Sequence, residues 1–367
     1  MIKRVPELDG LRGIAIAMVL VSHIWIGRLW DSEPIGYWPN VLLHLSGHGV
    51  DLFFVLSGFL IGGILMDHAR SPRLFSVFYL RRAFRILPAY WLLILSFVVA
   101  VPVDAHARFG LLNYLYDPNP LPVWRYVLFV QNFVTAWTRS IDPVWLAATW
   151  SLAVEEQFYL IVPWFIRYLS RHLAALCVAG VVTSLCVRYY YIYCAQGNIC
   201  AADNLIVSRT DALCVGILVA IVSRGSATGP WLQARPSWLR AGLLASAILY
   251  IGLPLADPGR VSDAVYHPTL YALANGLVLL HVVHAPAGAL VGILRARFLV
   301  WLGGISYFVY LFHLPVNFVV RTFLGKYLTG PDGLAVALST GVVFLAAWAS
   351  RRWFEQPLIR YSRRFSY

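Results

Sequence analysis

An arginine and a histidine stand in the first apolar stretch of the chain, ELDGLRGIAIAMVLVSHIW, which covers residues 7–25. Arg12 and His23 are eleven residues apart, so an α-helix would place them on one face, roughly 16 Å apart along its axis. If this helix crosses a membrane, His23 stands about half-way through a hydrocarbon core of ~30 Å. An ionisable side chain at that depth needs a partner and commonly marks a functional site. We predict that His23 is a catalytic centre; the alternative is a histidine that only bonds a neighbouring helix.

Two further arginines are spaced for phosphate binding in YLRRAFRILPAYW, residues 79–91. Arg82 and Arg85 are three residues apart and are therefore neighbours on one face of a helix. Two guanidinium groups side by side suit a multiply charged phosphate group. The alternative is that these arginines, like Arg12, only hold the cytoplasmic end of a membrane helix at the membrane surface.

Two adjacent glutamates, Glu155 and Glu156, stand in the apolar stretch TWSLAVEEQFYLIVPWF, residues 149–165. Their side chains point about 100° apart on a helix, so at least one of them is expected to face the interior of the bundle. That carboxylate either pairs with an arginine or histidine of another helix, or orients and charges a catalytic histidine.

A second histidine, His313, lies deep in GGISYFVYLFHLPVNFVV, two residues before Pro315. It either lines the same cavity as His23 or caps carbonyl groups that the proline leaves without an amide donor. The stretch VDLFFVLSGFLIGG, residues 50–63, carries Asp51 at its outer end. Its small residues are expected to allow close helix packing: Ser57, Gly58, Gly62 and Gly63.

The elements that position these residues are predicted to be membrane helices. The chain has 367 residues, of which 60% are hydrophobic and 13% charged, and its mean hydropathy is +0.69. The hydrophobic fraction is higher, and the charged fraction lower, than in ordinary soluble domains. We predict an all-α, polytopic integral membrane bundle of about ten transmembrane helices. The predicted spans cover residues 10–27, 48–66, 84–102, 145–166, 173–192, 205–223, 239–255, 266–284, 298–320 and 333–350. A shorter apolar segment, 123–137, is predicted to lie in the membrane interface or to enter it only part-way.

The distribution of basic residues predicts the orientation of the bundle. If the spans alternate from a cytoplasmic N-terminus, most of the 29 lysines and arginines lie on the cytoplasmic side, as the positive-inside rule requires. Both termini are therefore predicted to be cytoplasmic. We expect residues 1–367 to form a single transmembrane domain with no fused extracytoplasmic domain. The net charge of +12 follows from this topology, and we do not expect nucleic-acid binding.

The five cysteines do not predict a metal site, because no two of them have the C-x-x-C spacing. We therefore expect no metal cofactor. Cys194 and Cys200 flank a polar loop, and they either pair in an oxidising compartment or remain free thiols.

Taken in order, these stretches resemble the acyltransferase 3 family of integral membrane O-acyltransferases. The resemblance rests on ELDGLRGIAIAMVLVSHIW, DLFFVLSGFLI, RRAFRILPAYW, TWSLAVEEQFYL, ISYFVYLFHLPV and WFEQPLIRY. The basic residue of the family and the histidine eleven positions later correspond to Arg12 and His23. The R-x-x-R signature corresponds to Arg82 and Arg85, and the family glutamate corresponds to Glu155.

The resemblance implies a protein of the bacterial inner membrane that transfers an acyl group, commonly acetyl, from cytoplasmic acyl-CoA. The implied acceptor is a hydroxyl group of a sugar, polysaccharide or glycolipid. Arg82, Arg85 and Arg12 would bind the donor phosphates, and His23 would act as a general base or as the group that is acylated. Glu155 would stabilise the charged imidazole.

A proton-coupled transporter or flippase is the main alternative, because histidines and glutamates inside a membrane also form proton relays. Transporters of this size commonly contain an internal repeat, and no repeat is visible in this sequence. The acyltransferase is therefore the preferred hypothesis.

Overall fold

A computed structural model describes residues 5–26, 37–107, 123–139, 142–256, 263–285, 287–324 and 333–367. Within these ranges all regular secondary structure is helical. The α-helices are α1 (Pro6–Leu20), α2 (Tyr37–Gly47), α3 (Gly49–Asp67), α4 (Leu74–Ala107), α5 (Trp124–Val127), α6 (Gln131–Thr138), α7 (Thr149–Tyr168), α8 (Leu173–Tyr189), α9 (Ile199–Asn204), α10 (Ile206–Arg224), α11 (Thr228–Gln233), α12 (Pro236–Ala256), α13 (Asp263–His284), α14 (Ala289–Leu294), α15 (Arg297–Leu324), α16 (Gly333–Ser350) and α17 (Gln356–Ser362). A 3₁₀ turn covers Ser170–His172, and π-helical turns cover Val21–Ile26, Tyr190–Cys194 and Arg351–Glu355.

The predicted all-α membrane bundle is confirmed, although the number of spans differs. Among the described residues, eight stretches are long and apolar enough to cross a membrane: Pro6–Trp25, Val41–Asp67, Leu74–Val101, Ser170–Cys194, Ile199–Arg224, Pro236–Leu255, Arg297–Phe323 and Gly333–Ser362. The other two predicted spans are present as α7 and α13, which have 20 and 22 residues. The polar run from Glu155 to Gln157 lowers the apolar content of α7. By length and composition, therefore, eight described stretches qualify as spans, whereas about ten were expected.

Small residues bring the backbones of neighbouring helices into contact. A side chain added at Gly13 of α1 or at Gly303 of α15 would collide with the backbone of the facing helix. The same is true of Gly58 in α3 and Gly216 in α10. Close approach through glycine is a common way to pack membrane helices. The predicted packing role of the small residues in α3 is thus confirmed at Gly58.

The largest hydrophobic core in the described part of the chain contains residues from Leu8 in α1 to Ala347 in α16. Large apolar side chains also cover the outer surface, and examples are Leu95, Ile248 and Leu345. A bundle with an apolar interior and an apolar exterior is what a lipid environment requires.

Buried ion pairs join three of the helices. Arg188 of α8 donates to Asp211 Oδ2 of α10 at 2.8 Å and to Val265 O of α13 at 2.9 Å. Arg209 of α10 donates to Asp51 Oδ1 of α3 at 2.8 Å. The four charged side chains are at least nine-tenths buried. Asp51 therefore has a structural partner.

The segment 123–137 contains the short helix α5 and most of α6, and α6 packs against α7. Asn132 of α6 is fully buried and donates to Gln157 Oε1 of α7 at 3.1 Å. The predicted membrane depth of this segment remains a prediction. All five cysteines are free thiols, and Cys194 and Cys200 do not form a disulfide.

Candidate active site

Two histidines from different helices meet inside the bundle. His23 lies in the π-helical turn after α1, and His313 lies in α15. The distance between His23 Nδ1 and His313 Nε2 is 2.9 Å, and the ring planes are within 8° of parallel. A π-helical turn inserts an extra residue into a helix, and such turns are frequent at functional sites. The structure thus brings together the two predicted histidines.

The carbonyl contacts of His313 determine which ring nitrogens carry protons when both histidines are neutral. His313 Nδ1 is 2.7 Å from Tyr310 O and 3.2 Å from Val309 O. A carbonyl oxygen only accepts a hydrogen bond, so His313 Nδ1 is the donor and His313 Nε2 is an acceptor. His23 Nδ1–H therefore donates to His313, and the lone pair of His23 Nε2 can accept a proton. Neither carbonyl is the one that the following proline leaves without its amide donor.

His23 is exposed to a cavity of about 220 Å³, which we call the histidine cavity. His313 is fully buried behind it. Polar side chains from separate elements line the cavity wall, namely Thr135, Asp142 and Asn204. These groups offer hydrogen-bond donors and acceptors to a hydroxylated ligand.

Asp142 is the carboxylate of the histidine cavity. It accepts hydrogen bonds from Arg125 Nη2 and from the Tyr126 hydroxyl, both at 2.8 Å, and from Thr135 Oγ1 at 3.3 Å. Burial raises the pKa of Asp142, while the bond from Tyr126 and the charge of Arg125 oppose this rise. Three hydrogen bonds therefore hold this carboxyl group at the wall of the cavity.

A second cavity of about 310 Å³, which we call the arginine cavity, lies between α1, α3, α4, α7 and α15. Arg12, Arg82 and Arg85 line it together with Glu155 and Tyr159. Apolar side chains complete its wall, among them Val50, Phe53, Phe54, Leu60, Ile61 and Ile64. Cationic and apolar walls in one cavity suit a ligand with an anionic end and a less polar arm.

Two arginines of this cavity form no direct ion pair with a carboxylate within the described ranges. Neither Arg82 nor Arg85 has a hydrogen bond or an ion pair within the described ranges, although the Arg82 guanidinium lies over the Tyr159 ring at 5.6 Å. The carboxylate of Glu155 accepts from Tyr159 OH at 3.1 Å instead. Two cations beside one carboxylate favour an anionic ligand.

The two cavities share one wall, which the start of α7 and a tyrosine of α15 form. Ala148 and Trp150 line the histidine cavity, whereas Ser151 and Tyr310 line the arginine cavity. The Tyr310 hydroxyl is 2.5 Å from Ser151 Oγ and 3.1 Å from Ala148 O. The first turn of α7 therefore contributes residues to the walls of both cavities.

Two side chains lie apart from the histidine pair. Glu155, for which the sequence left open either an ion pair or a place beside a catalytic histidine, lines the arginine cavity, whereas the carboxylate in the cavity of His23 is Asp142. Arg12 and His23 line different cavities, which agrees with their separation of roughly 16 Å along the helix. Glu156 lines neither of these two cavities.

Sequence reasoning did not single out Asp142, Thr135 or Arg125. The sequence does carry a signal for Asp142 and Arg125, because charged residues are uncommon within an aromatic, apolar segment. The part of the chain that the structure describes contains no cluster of three metal-binding side chains. The site described here consists of histidine, arginine, carboxylate and hydroxyl groups.

A family model described as an acyltransferase domain matches residues 5–352. The chain belongs to the acyltransferase 3 family. It is 29% identical to YrhL of Bacillus subtilis over 385 aligned positions, covering 96% of this chain and 55% of that protein. It is 26% identical to the peptidoglycan O-acetyltransferase OatA of Listeria monocytogenes, covering 97% and 56%. It is 25% identical to the O-acetyltransferase OatA of Staphylococcus aureus, covering 96% and 57%.

The chain spans about half the length of these relatives. No solved structure matches it. Family membership and the apolar helices together identify an integral protein of a bacterial membrane. The resemblance found in the ordered motifs is therefore confirmed at the level of the family.

Proposed function

We propose that this protein is a membrane O-acyltransferase that transfers an acyl group, most commonly acetyl, from cytoplasmic acyl-CoA to a saccharide hydroxyl. The main support is the pair of cavities on either side of one helical turn. The arginine cavity offers cations to a phosphorylated donor, and the histidine cavity offers polar groups to a hydroxylated acceptor. His23 lies where the two substrates would meet.

In this proposal His23 Nε2 accepts the proton of the acceptor hydroxyl as its oxygen attacks the thioester carbonyl. The tetrahedral intermediate then expels the thiolate of CoA, which takes the proton from His23, and the new ester bond is complete. His313 accepts the hydrogen bond from His23 Nδ1 and so keeps the lone pair of Nε2 directed at the cavity. It also stabilises the imidazolium that forms during the reaction.

An acyl-histidine intermediate is the second form of the same proposal, because His23 Nε2 can also attack the thioester itself. The two forms differ in one measurement. Donor labelled in its acyl group, incubated with purified protein and no acceptor, labels the protein only if the covalent intermediate forms. His23→Ala is the matched control for that labelling.

The donor and acceptor roles of the cavities follow from charge and orientation. Arg12, Arg82 and Arg85 lie near the helix ends that the basic residues predict to be cytoplasmic, where acyl-CoA is found. The names of the relatives from Bacillus subtilis and Listeria monocytogenes make peptidoglycan the first acceptor to test, with other polysaccharides and glycolipids after it. Glu155 would offset part of the arginine charge.

Membranes containing the protein should transfer label from acetyl-labelled acetyl-CoA to peptidoglycan or another saccharide as a base-labile ester. His23→Ala membranes with equal protein content are the control. Uptake of a solute without any transfer of label would support the transporter alternative and contradict the proposal.

A further inference from the structure

A third cavity, of about 380 Å³, lies beside the arginine cavity, and we call it the C-terminal cavity. Its arginines outnumber its carboxylates by five to two. The arginines are Arg12, Arg85, Arg351, Arg360 and Arg363, and the carboxylates are Asp9 and Glu355. A concave site with such an excess of positive charge attracts an anion with several charges.

The last residues of the chain reach this cavity because they fold back onto α4. Arg81 of α4 donates to Phe365 O from Nε at 3.0 Å and from Nη2 at 2.5 Å. The Phe84 ring of α4 packs edge-on against Tyr361 at 5.5 Å. These contacts hold α17 and its arginines next to the helix that carries Arg85. The arginines near the end of the chain thus line a cavity that the fold forms.

The C-terminal cavity adjoins the arginine cavity. Arg12, Arg85, Ser306 and Tyr307 line both of them. Along α15, ten residues separate Gly303 in the C-terminal cavity from His313 in the histidine pair, a distance of roughly 15 Å. This distance is about half of the ~30 Å hydrocarbon thickness. An extended pantetheine arm also reaches about half of that thickness.

The arginines of the two cavities correspond to different parts of the donor molecule. Coenzyme A carries a 5′-diphosphate near its pantetheine arm and a separate 3′-phosphate on the ribose at its far end. Arg12 and Arg85 lie where the two cavities join, whereas Arg360 and Arg363 are exposed at the outer edge of the C-terminal cavity. A donor whose thioester reaches the histidine pair would extend its ribose end toward these outer arginines.

We propose that the C-terminal cavity binds the nucleotide of acyl-CoA and that Arg360 and Arg363 recognise its 3′-phosphate. This inference rests on the proposed function and makes it more specific. It means that the C-terminal segment selects acyl-CoA over acyl donors that carry only phosphopantetheine, since those donors lack the ribose and its phosphate.

The test compares acetyl-CoA with acetyl-3′-dephospho-CoA, using the purified full chain in lipid nanodiscs. For the unaltered protein we expect the KM for the dephospho donor to be about tenfold higher or more, the scale of one lost charge-assisted hydrogen bond. Arg360→Gln and Arg363→Gln should raise the KM for acetyl-CoA only, so that the ratio falls toward one. Their kcat should not change, because neither side chain reaches the thioester.

Arg364→Gln is the matched control. Arg364 is a neighbouring, exposed arginine whose guanidinium lies over the Tyr361 ring at 5.1 Å, and it does not line the C-terminal cavity. Its variant should keep the donor preference of the unaltered protein. An unchanged KM ratio in the Arg360 and Arg363 variants would overturn the inference.

A binding assay separates this inference from the proposed function. Displacement of a labelled CoA analogue by CoA and by 3′-dephospho-CoA measures the same preference without any transfer. Equal affinities in the unaltered protein would refute 3′-phosphate recognition even if transfer occurs, while a preference without transfer would contradict only the proposed reaction. Variants that lose stabilisation by phosphatidylglycerol but keep the nucleotide preference would assign the cavity to a lipid headgroup and overturn the inference.

Discussion

The interior of this bundle contains two kinds of arginine, and they differ in their partners. The first kind forms short ion pairs with aspartates, each with N–O distances of 2.8 Å. These paired arginines are Arg125, Arg188 and Arg209. The second kind lines the arginine cavity, where three arginines face one glutamate. These cavity arginines are Arg12, Arg82 and Arg85, of which Arg12 contacts Asp9 at 3.2 Å.

The comparison teaches that burial of an arginine does not by itself reveal its role. A paired arginine compensates the charge of an aspartate from another segment of the chain, so its loss leaves an uncompensated buried charge. A cavity arginine without a carboxylate partner is costly in the empty protein. Such an arrangement is expected where an anionic ligand completes the site.

Arg188→Met should have the largest effect and should act on stability. It removes the partner of Asp211 and four hydrogen bonds that join α8, α10 and α13. Breaking a buried ion pair from one side costs about 3–5 kcal/mol. Thermal unfolding in detergent should show a marked loss of stability. The double variant with Asp211→Leu should recover part of it; a stable single variant would contradict the structural role.

His23→Ala should act on catalysis and leave folding intact. We expect acyl transfer to fall at least about a hundredfold, the lower end of what a general base contributes, which corresponds to about 2.7 kcal/mol. The side chain is exposed to a cavity, so its removal leaves no void in the core. Transfer rates and membrane protein levels are measured together. Substantial transfer by a well-folded variant would disprove the role of His23.

Arg82→Ala and Arg85→Ala should weaken donor binding without reducing stability. Loss of one charge-assisted hydrogen bond to phosphate is expected to cost about 1.5–3 kcal/mol of affinity. Lysine should restore only part of this, because it lacks the planar, two-pronged geometry of arginine. CoA affinity and thermal stability should be measured for each variant. Unchanged CoA affinity in both alanine variants would indicate that these arginines only hold the helix end at the membrane surface.

Arg224→Ala should have the smallest effect, because this arginine pairs with Asp67 at a partly exposed site. Its Nε is 2.9 Å from Asp67 Oδ1, and the two side chains are 31% and 36% exposed. Exposed pairs contribute about 0–1 kcal/mol. A loss of stability as large as that of Arg188→Met would show that exposure does not distinguish these pairs.

The sequence by itself determined the helices and the residue types at the site. Long apolar runs must form helices in a membrane, because the backbone can satisfy its hydrogen bonds only within the segment. Ionisable residues are rare in such runs, so Arg12, His23, Arg82, Arg85 and Glu155 were detectable without a structure. The ordered family motifs indicated that the chemistry of these residues is acyl transfer.

Only the tertiary structure decided which side chains meet. His23 and His313 are 290 residues apart, and their contact depends on glycines that set the approach of α1 to α15 and on the π-helical turn that carries His23. The same packing directs Glu155 into the arginine cavity and places Asp142 in the cavity of His23. These pairings follow from the rotation and offset of whole helices, which local sequence periodicity does not specify.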